Sequence, residues 1–587
     1  MLKVGQVERT EITGYSSEGM GICRIDGCAV FVPNAIRGEL CEIKVTHVSR
    51  NSAHGKIEQI IERSPHRITR TCPDAKRCGG CQLHHMDYAE ELAFKAQKVT
   101  DALNRIGNQN VPLVKITGAD GTVRTQGAES VPKKEEAPAA AFAYRNKAQY
   151  PVAEQEGKPV AGFYKNRTHE VIPVKRCAIL PEIFDRVRDV VVRWAAEDRV
   201  SVYNEHSGKG LLRHIYVRKG TISGQLMVCL VVNGKTLPRE QRLVNTLRRE
   251  IPGLASVVLS VNTKNTNVVL GEEIRTLWGE PFIEDQLCGF TFRLSPHSFY
   301  QVNHDQAQRL YAKAVELAAL QGTETVLDLY CGTGTITLAL SREAGRAIGV
   351  EVIPQAIEDA KENALRNGVQ NVEFFCADAG EAAQRFASQA SGIGDQAFGD
   401  EKAVTGHLSP VTAHGSSPDV ILVDPPRKGL APEVIDAVVT MAPKRVVYVS
   451  CDPATLARDV KLFSERGYSL SHAEAFDLFP RTFHVETVVQ LVRKNPDMAV
   501  CVTVNLEDAD LTAAESKATY EQIKDYALNT YGFQVTSLQI AQTKRKLGLP
   551  TGDHYNLSQK ENQVIPQCPP EKENAIREAL RHFRMLN

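Results

Sequence analysis

Two thiol-bearing stretches and a row of carboxylates closing apolar runs are the residues whose types and spacing could do chemistry. Arg445-Val-Val-Tyr-Val-Ser-Cys451-Asp-Pro-Ala-Thr-Leu456 carries a thiol from a strand end to the start of a proline-opened helix. A helix N-terminus favours thiolate, the nucleophilic form. Ile421-Leu-Val-Asp424-Pro-Pro-Arg427 puts a carboxylate at another strand end, with two prolines fixing the loop beyond it. Val326-Leu-Asp-Leu-Tyr-Cys-Gly-Thr-Gly334 is an apolar strand entering a glycine turn, followed by the helical stretch TITLALSREA. Gly332 and Gly334 let backbone approach a ligand, and the helix start supplies unpaired N–H groups. Glu351 ends the next apolar strand, RAIGVE, where an acid accepts hydrogen bonds from both ribose hydroxyls of an adenosine. A dinucleotide would want G-x-G-x-x-G, but Thr337 stands third after Gly334. That points to a nucleoside without a pyrophosphate, such as S-adenosylmethionine. Asp378, closing NVEFFCAD, is placed to meet the adenine edge.

Cys72-x5-Cys78-x2-Cys81 sets three thiols in a glycine-containing loop. A zinc site would add His84 or His85 as a fourth ligand. An iron–sulfur cluster would want four thiolates, the fourth from elsewhere in the chain. Spacing leaves both open. Arg63, Arg67, Arg70, Lys76 and Arg77 surround the loop against Asp74 alone, and Lys209, Arg213, Arg218 and Lys219 form a second basic group. Both are expected to contact phosphates.

The elements that must position these groups fall into four segments. Residues 1–62 read as short alternating strands broken by Gly and Asn, an OB-like barrel suited to single-stranded RNA. Residues 63–290 hold the thiol loop, a helix over DYAEELAFKAQKVTDALNRIG, and a mixed α+β region. In that region HIYVRKG, QLMVCLVVN and ASVVLSVN are expected to pair as antiparallel strands. Residues 291–495 alternate strand and helix, the pattern of a doubly wound α/β, Rossmann-like sheet. Residues 119–141 read as a solvated insertion and 380–418 as a long surface loop. From about 505 a helical appendage is expected. Thr512–Glu515 fits a capping box, Tyr520, Ile523, Ala527 and Tyr531 share a face, and Lys544, Arg545 and Lys546 make a basic tip.

Composition limits the classes. The chain of 587 residues carries 70 Lys+Arg against 70 Asp+Glu, with 42% hydrophobic and 24% charged residues. These globular values exclude a disordered, collagenous or coiled-coil chain. No run approaches the ~18 apolar residues of a membrane span, and the start MLKVGQVERTEITG lacks an apolar signal core. Fourteen Cys are too sparse for a disulfide scaffold, so a reducing cytoplasm is expected.

DLYCGTGT, VDPPRKG, SCDPATL and FHVETVVQL, with SFYQVN upstream, resemble the RNA (uracil-5-)-methyltransferase family. The branch that modifies a uridine of 23S, large-subunit ribosomal RNA is the most similar. The resemblance runs from the N-terminal barrel, which looks like a TRAM domain, to about residue 495. It implies a nucleophile at Cys451 and a base at Glu486. It also implies an S-adenosylmethionine pocket lined by Gln301, Tyr330, Gly332, Glu351, Asp378 and Asp424. Phe299 could stack on an extruded base or belong to the core. Many members place a [4Fe–4S] cluster on the thiol loop with a further Cys, which implies Cys72, Cys78, Cys81 and Cys177 as ligands. A cytoplasmic monomer acting on ribosomal RNA, with no membrane partner, is the resulting expectation. A transfer RNA T-loop methyltransferase and a non-catalytic iron–sulfur RNA-binding factor are the alternatives.

Overall fold

The computed structural model describes residues 2–70, 72–124, 137–390, 417–494, 520–547, 549, 568–583 and 586. The chain divides into two compact units, 1–495 and 496–587.

The first unit opens with six short strands, Val7–Glu11, Gly14–Tyr15, Gly21–Ile25, Cys28–Val32, Leu40–Val48 and Ser52–Glu62, in one OB-like sheet. Their alternation turns Cys23, Val30, Ile43, Val45 and Ala53 inward to a closed core. The thiol loop follows and leads into the helix Tyr88–Arg105, whose first turn is capped by the Asp87 carboxylate accepting from the Glu90 N–H. Leu92, Ala96, Val99 and Leu103 recur at helical spacing and bury against the large C-terminal sheet of this unit. The strand Lys115–Thr117 pairs in parallel with that sheet's edge, and Val123–Arg124 extends it. The stretch 88–124, read from sequence as part of a central segment, therefore builds the outer side of the C-terminal sheet. The expected insertion at 119–141 is correspondingly structured at both ends. Ala139–Ala141 forms a 3-10 turn with Ala141 buried, and residues 125–136 lie outside the described residues.

A seven-stranded sheet follows, ordered Val171–Pro173, Lys158–Tyr164, Lys147–Gln155, Leu212–Lys219, Leu226–Val232, Leu254–Val261, Glu273–Gly279. Leu212–Lys219 and Leu226–Val232 pair antiparallel, as expected. Leu254–Val261 pairs in parallel with its neighbour instead. The helix Glu240–Glu250 supplies the crossover that a parallel pair requires. Side-chain period reports which face is buried, and both directions have period two.

The nine-stranded sheet positions the site. Its order is Val372–Cys376, Arg346–Glu351, Thr325–Asp328, Val420–Val423, Arg445–Ser450, Glu486–Arg493, Tyr468–Phe476, Lys115–Thr117, Val123–Arg124. The first five are parallel, and Glu486–Arg493 runs antiparallel to both neighbours. The reversal sets the start of the Glu486 strand beside the end of the Cys451 strand, with Ser450 opposite Thr487. Helices cover both faces, so the central strands are apolar throughout. Residues 380–418, expected as a surface loop, begin instead with the helix Ala379–Ala390. Ala382, Ala383 and Ala387 bury its inner face in the main core, so small side chains read as loop are packing contacts. Residues 391–416 lie outside the described residues.

The second unit contains the helices Tyr520–Tyr531, Ser537–Lys546 and Pro570–His582 around Ile523, Ala527, Ile540, Ile576 and Leu580. The capping box expected at Thr512–Glu515 lies outside the described residues. A capping box is formed instead by Thr536 with Gln539. Tyr531 leaves the buried face and is exposed. Lys544 is buried and Lys546 pairs with Glu573 at 2.6 Å, which reduces the expected basic tip to Arg545. No helix among the described residues is long and apolar enough to cross a membrane.

Candidate active site

On the side expected to hold the nucleoside, Thr325–Asp328 enters the glycine turn and Arg346–Glu351 ends beside it. The Glu351 carboxylate accepts the N–H of Gly332 at 3.3 Å and of Ile353 at 3.0 Å. Gly332 has φ +54°, and a Cβ there would meet nothing within 4 Å, so the turn faces open space. Gly334 differs: its Cβ would sit 3.0 Å from the Phe374 ring, so it serves close packing of the helix that follows. Tyr330 borders the turn, its hydroxyl pushed up to about 12 by burial and then by Asp378, Asp459 and Glu351. Asp378 is exposed, and its Oδ1 accepts the N–H of Gly380 at 2.8 Å, so it also caps the helix Ala379–Ala390. Gln301 is buried, with its backbone carbonyl accepting from Asn146 Nδ2 at 2.8 Å. Phe299 is 63% exposed, which removes the core reading.

Across the sheet edge, Asp424, Cys451 and Glu486 lie near enough for their fields to act on one another. Burial, then Asp328, pushes the Asp424 carboxyl up to about 7. Burial, then Asp424, pushes Glu486 up to about 8, against the opposing field of Arg427. Burial, then Glu486 and Asp424, holds the Cys451 thiol up at about 11, again opposed by Arg427. The help toward thiolate expected from the helix N-terminus is therefore outweighed by burial and the neighbouring carboxylates. Asp452 caps that helix, its Oδ1 accepting the N–H of Ala454 at 2.9 Å and of Thr455 at 3.1 Å, so those amides are spent on a carboxylate. Asp424, Glu486 and Cys451 are thus all shifted toward their protonated forms, with Arg427 as the opposing charge on the last two.

Sequence reading missed three contributors. Asp328 is buried, takes the Thr337 hydroxyl at 2.7 Å and is pushed up to about 7 by burial. Tyr311, from the helix His304–Ala318, joins Gln301 and Thr335 through its hydroxyl and feels Asp424. Arg427 sits in the quoted VDPPRKG, yet its charge balance with Cys451 and Glu486 depends on strands far apart in sequence. Of these, only Tyr311 lay outside the stretches already marked for chemistry.

The thiol loop docks on the central sheet, where Gly79 N–H donates to the Tyr164 carbonyl at 3.0 Å. Cys72, Cys78, Cys81 and Cys177 line one cavity of about 250 Å³ with Arg145, Lys147 and His84. Burial drives the Cys81 thiol well up, and the fields of Cys177, Cys78 and Cys72 add to it. Burial likewise lifts Cys177 to about 12. Among the described residues, no three His, Cys, Asp or Glu side chains converge as a ready-made metal site. His85 is buried, and burial, then Arg67 and Arg70, pulls its imidazole down to about 3.

Several cations expected on phosphates are structural. Arg67 is bound to the Glu39 carboxylate and the Asn34 carbonyl. Arg213 is buried on the carbonyls of Asn262 and Lys264, and Arg218 on those of Ser295 and Ser298. Buried carbonyls need donors, and an arginine fork supplies several at once.

Comparison with known proteins adds the following. The family described as tRNA (uracil-5-)-methyltransferase matches residues 216–494, and the TRAM domain matches residues 2–57. An uncharacterized RNA methyltransferase of Clostridium acetobutylicum is 40% identical over 482 residues, 82% of this chain and 96% of that protein. One from Halalkalibacterium halodurans is 40% identical over 489 residues, 83% and 97% of the two chains. The crystal structure of Pyrococcus abyssi tRNA (uracil-54, C5)-methyltransferase in complex with S-adenosyl-L-homocysteine aligns with a TM-score of 0.59 at 26% identity. It covers 82% of this chain and 99% of that one.

Proposed function

The chain belongs to the tRNA (uracil-5-)-methyltransferase family and carries a TRAM domain, and from that premise we propose that it methylates C5 of a uridine in 23S ribosomal RNA. The observation that carries this reading is the approach of Cys451, Glu486 and Asp424 to one another at strand ends of the sheet that also carries Gly332 and Glu351. Uracil C5 is too weak a nucleophile to take a methyl group unaided. Cys451, as thiolate, adds to C6, and the resulting enolate carries nucleophilic density to C5. S-adenosylmethionine, when bound, supplies the methyl group as an electrophile. Glu486 then takes the C5 proton, the C5–C6 double bond re-forms, and the thiolate leaves. Asp424 and Gln301 hold the uracil edge, while Glu351, Gly332, Tyr330 and Asp378 orient the nucleoside. Arg427 offsets the acids that would otherwise keep the thiol protonated.

Four thiols on one cavity walled by Arg145 and Lys147 suit an anionic [4Fe–4S] cluster held by Cys72, Cys78, Cys81 and Cys177. Its proposed work is to pin the loop to the central sheet. Anaerobic purification should give a brown protein with about four irons per chain, the stoichiometry of such a cluster; a folded, iron-free, zinc-bearing protein contradicts it. The proposed division is a barrel at 1–62, a cluster-bearing region to 290, a methyltransferase region to 495 and a helical extension from 505.

One observation favours a transfer RNA target, the likeness to the Pyrococcus abyssi enzyme. The barrel and thiol loop favour ribosomal RNA. Mapping 5-methyluridine in total RNA with and without the protein decides between them: loss in 23S ribosomal RNA supports the proposal, and loss in transfer RNA alone overturns it.

A further inference from the structure

The loop 477–485 joins two neighbouring strands at their paired ends, Phe476 and Glu486, so its path sets where the Glu486 strand begins. A connecting loop ordinarily runs over the surface with its carbonyls on water. Here other segments take those carbonyls. Leu478 accepts from Asn303 Nδ2 at 3.1 Å, Pro480 from the Tyr144 hydroxyl at 3.1 Å, and Arg481 from the Leu83 N–H at 3.0 Å.

Lys95, fully buried on the helix Tyr88–Arg105, joins that helix to the loop. An ammonium has three donors, and this one donates to Glu91 Oε1 at 2.8 Å, Asp477 Oδ1 at 2.6 Å and the Phe479 carbonyl at 3.2 Å. The other Asp477 oxygen accepts the Tyr88 hydroxyl at 2.6 Å. Glu91 also accepts from Arg481, whose N–H lies at 2.6 Å and whose guanidinium lies at 3.3 Å. Arg481 has φ +71°, a conformation that a residue with a side chain keeps only where its surroundings hold it. Two carboxylates and two cations closed off from water are a weak source of stability, since apolar residues of similar volume often serve as well. What apolar residues lack is direction. These hydrogen bonds fix the loop at Asp477, Phe479 and Arg481, next to the residue that pairs with Glu486. A general base works only when its neighbours hold it within about 0.5 Å of its productive place.

We propose that Lys95, through Asp477 and the 477–485 loop, is a positioning residue for the base Glu486, an inference that rests on the uracil-C5 reading above. Its three donors are spent within the network, so it acts on the chemistry only through the loop. Cys451 ends a different strand, which carries none of these bonds, so the hold bears on the base and leaves the nucleophile in place.

The two halves of the reaction separate this role from plain stability. Glu486 is needed only after the methyl group has moved, so a displaced base leaves a methylated Cys451–RNA conjugate that is slow to release. Lys95→Met removes the ammonium. The double variant Lys95→Met/Asp477→Leu removes both partners together and leaves Glu91 paired with Arg481, so it folds even where the single variant fails for want of charge balance. Val99→Ala, buried on the same helix and outside these hydrogen bonds, lowers stability alone. Each protein is mixed with S-adenosylmethionine and a hairpin RNA carrying the natural target uridine, and methyl incorporation and conjugate are followed with time. In the double variant, methyl transfer in a single turnover should stay within about twofold of wild type while release slows about ten- to a hundredfold. Methylated conjugate should therefore accumulate, although the protein melts as a folded chain. V99A should melt lower and release at the wild-type rate. Equal slowing of both steps, or wild-type release from the double variant, overturns the positioning role. Glu486→Gln tests the underlying reading separately. Conjugate in E486Q with fast release in the double variant sinks the positioning role alone, and no conjugate in E486Q sinks both.

Discussion

At Glu486 the protein keeps a carboxylic acid where burial and Asp424 together hold its proton to about pH 8. Asp424 behaves alike near 7. Both folded values lie above the ordinary carboxylate range, so the folded state binds more protons than the unfolded one. Their stabilising contribution is complete below about pH 4 and is lost as pH rises through 7 and 8. Glu486→Gln and Asp424→Asn should therefore flatten the fall in melting temperature between pH 5 and 8.5, by an order of 1 kcal/mol each. A melting profile identical to wild type would contradict that charge balance. In the proposed mechanism methyl transfer runs opposite to stability, because Glu486 and the Cys451 thiol must both lose protons. Single-turnover rates should rise from pH 6 to 9, and Arg427→Met, which strips the opposing cation, should move the profile alkaline. The cost at pH 7.5 should be about tenfold per pKa unit. Cys451 and Asp424 were legible because strand ends announce themselves in sequence. The raised thiol was not, because it depends on carboxylates brought in by other strands and on Asp452 occupying the helix end.

Among elements, the helix Pro453–Glu465 after Cys451 clamps the loop that carries Arg427. Asp459 is fully buried, and its Oδ2 accepts the Leu430 N–H and the Tyr448 hydroxyl, each at 2.8 Å. Arg458 donates to the carbonyls of Lys428 and Leu430, and Thr455 to that of Arg427. Gly429 turns beneath them with φ +73°, where a Cβ would meet Asp459 Oδ2 at 2.6 Å. Asp459→Asn should cost about 1–3 kcal/mol of stability, since a buried N–H or hydroxyl loses its charged acceptor. Chemical denaturation reads this directly, and adduct formation should weaken with it as Arg427 loses its fixed place. Strand existence was readable from apolar runs throughout this sheet. Strand direction was not, and the parallel pairing of Leu254–Val261 and the reversal at Glu486–Arg493 became visible only in the fold.

Over the whole molecule, each unit closes its own core. The second gathers Ile523, Ile540, Ile576 and Leu580, and its helices bury their apolar faces on one another. A chain ending at Asn495 should therefore retain its main melting transition, within about 2 °C, and keep adduct formation. Loss of the folded methyltransferase region on that truncation would contradict this independence. Composition and motifs located the methyltransferase sheet and the barrel. They misplaced residues 88–124, because a helix and two short strands carry no signal of which sheet they will join.

The central claim is a covalent bond between Cys451 and C6 of a uracil. Intact-protein and peptide mass spectrometry, after reaction with a 5-fluorouridine target RNA and S-adenosylmethionine, tests it most directly. Fluorine cannot leave C5 as a proton does, so a stable protein–RNA conjugate mapping to Cys451, and absent in Cys451→Ala, is the result this account requires. Turnover of the natural RNA with no conjugate, or a conjugate on another residue, would contradict it.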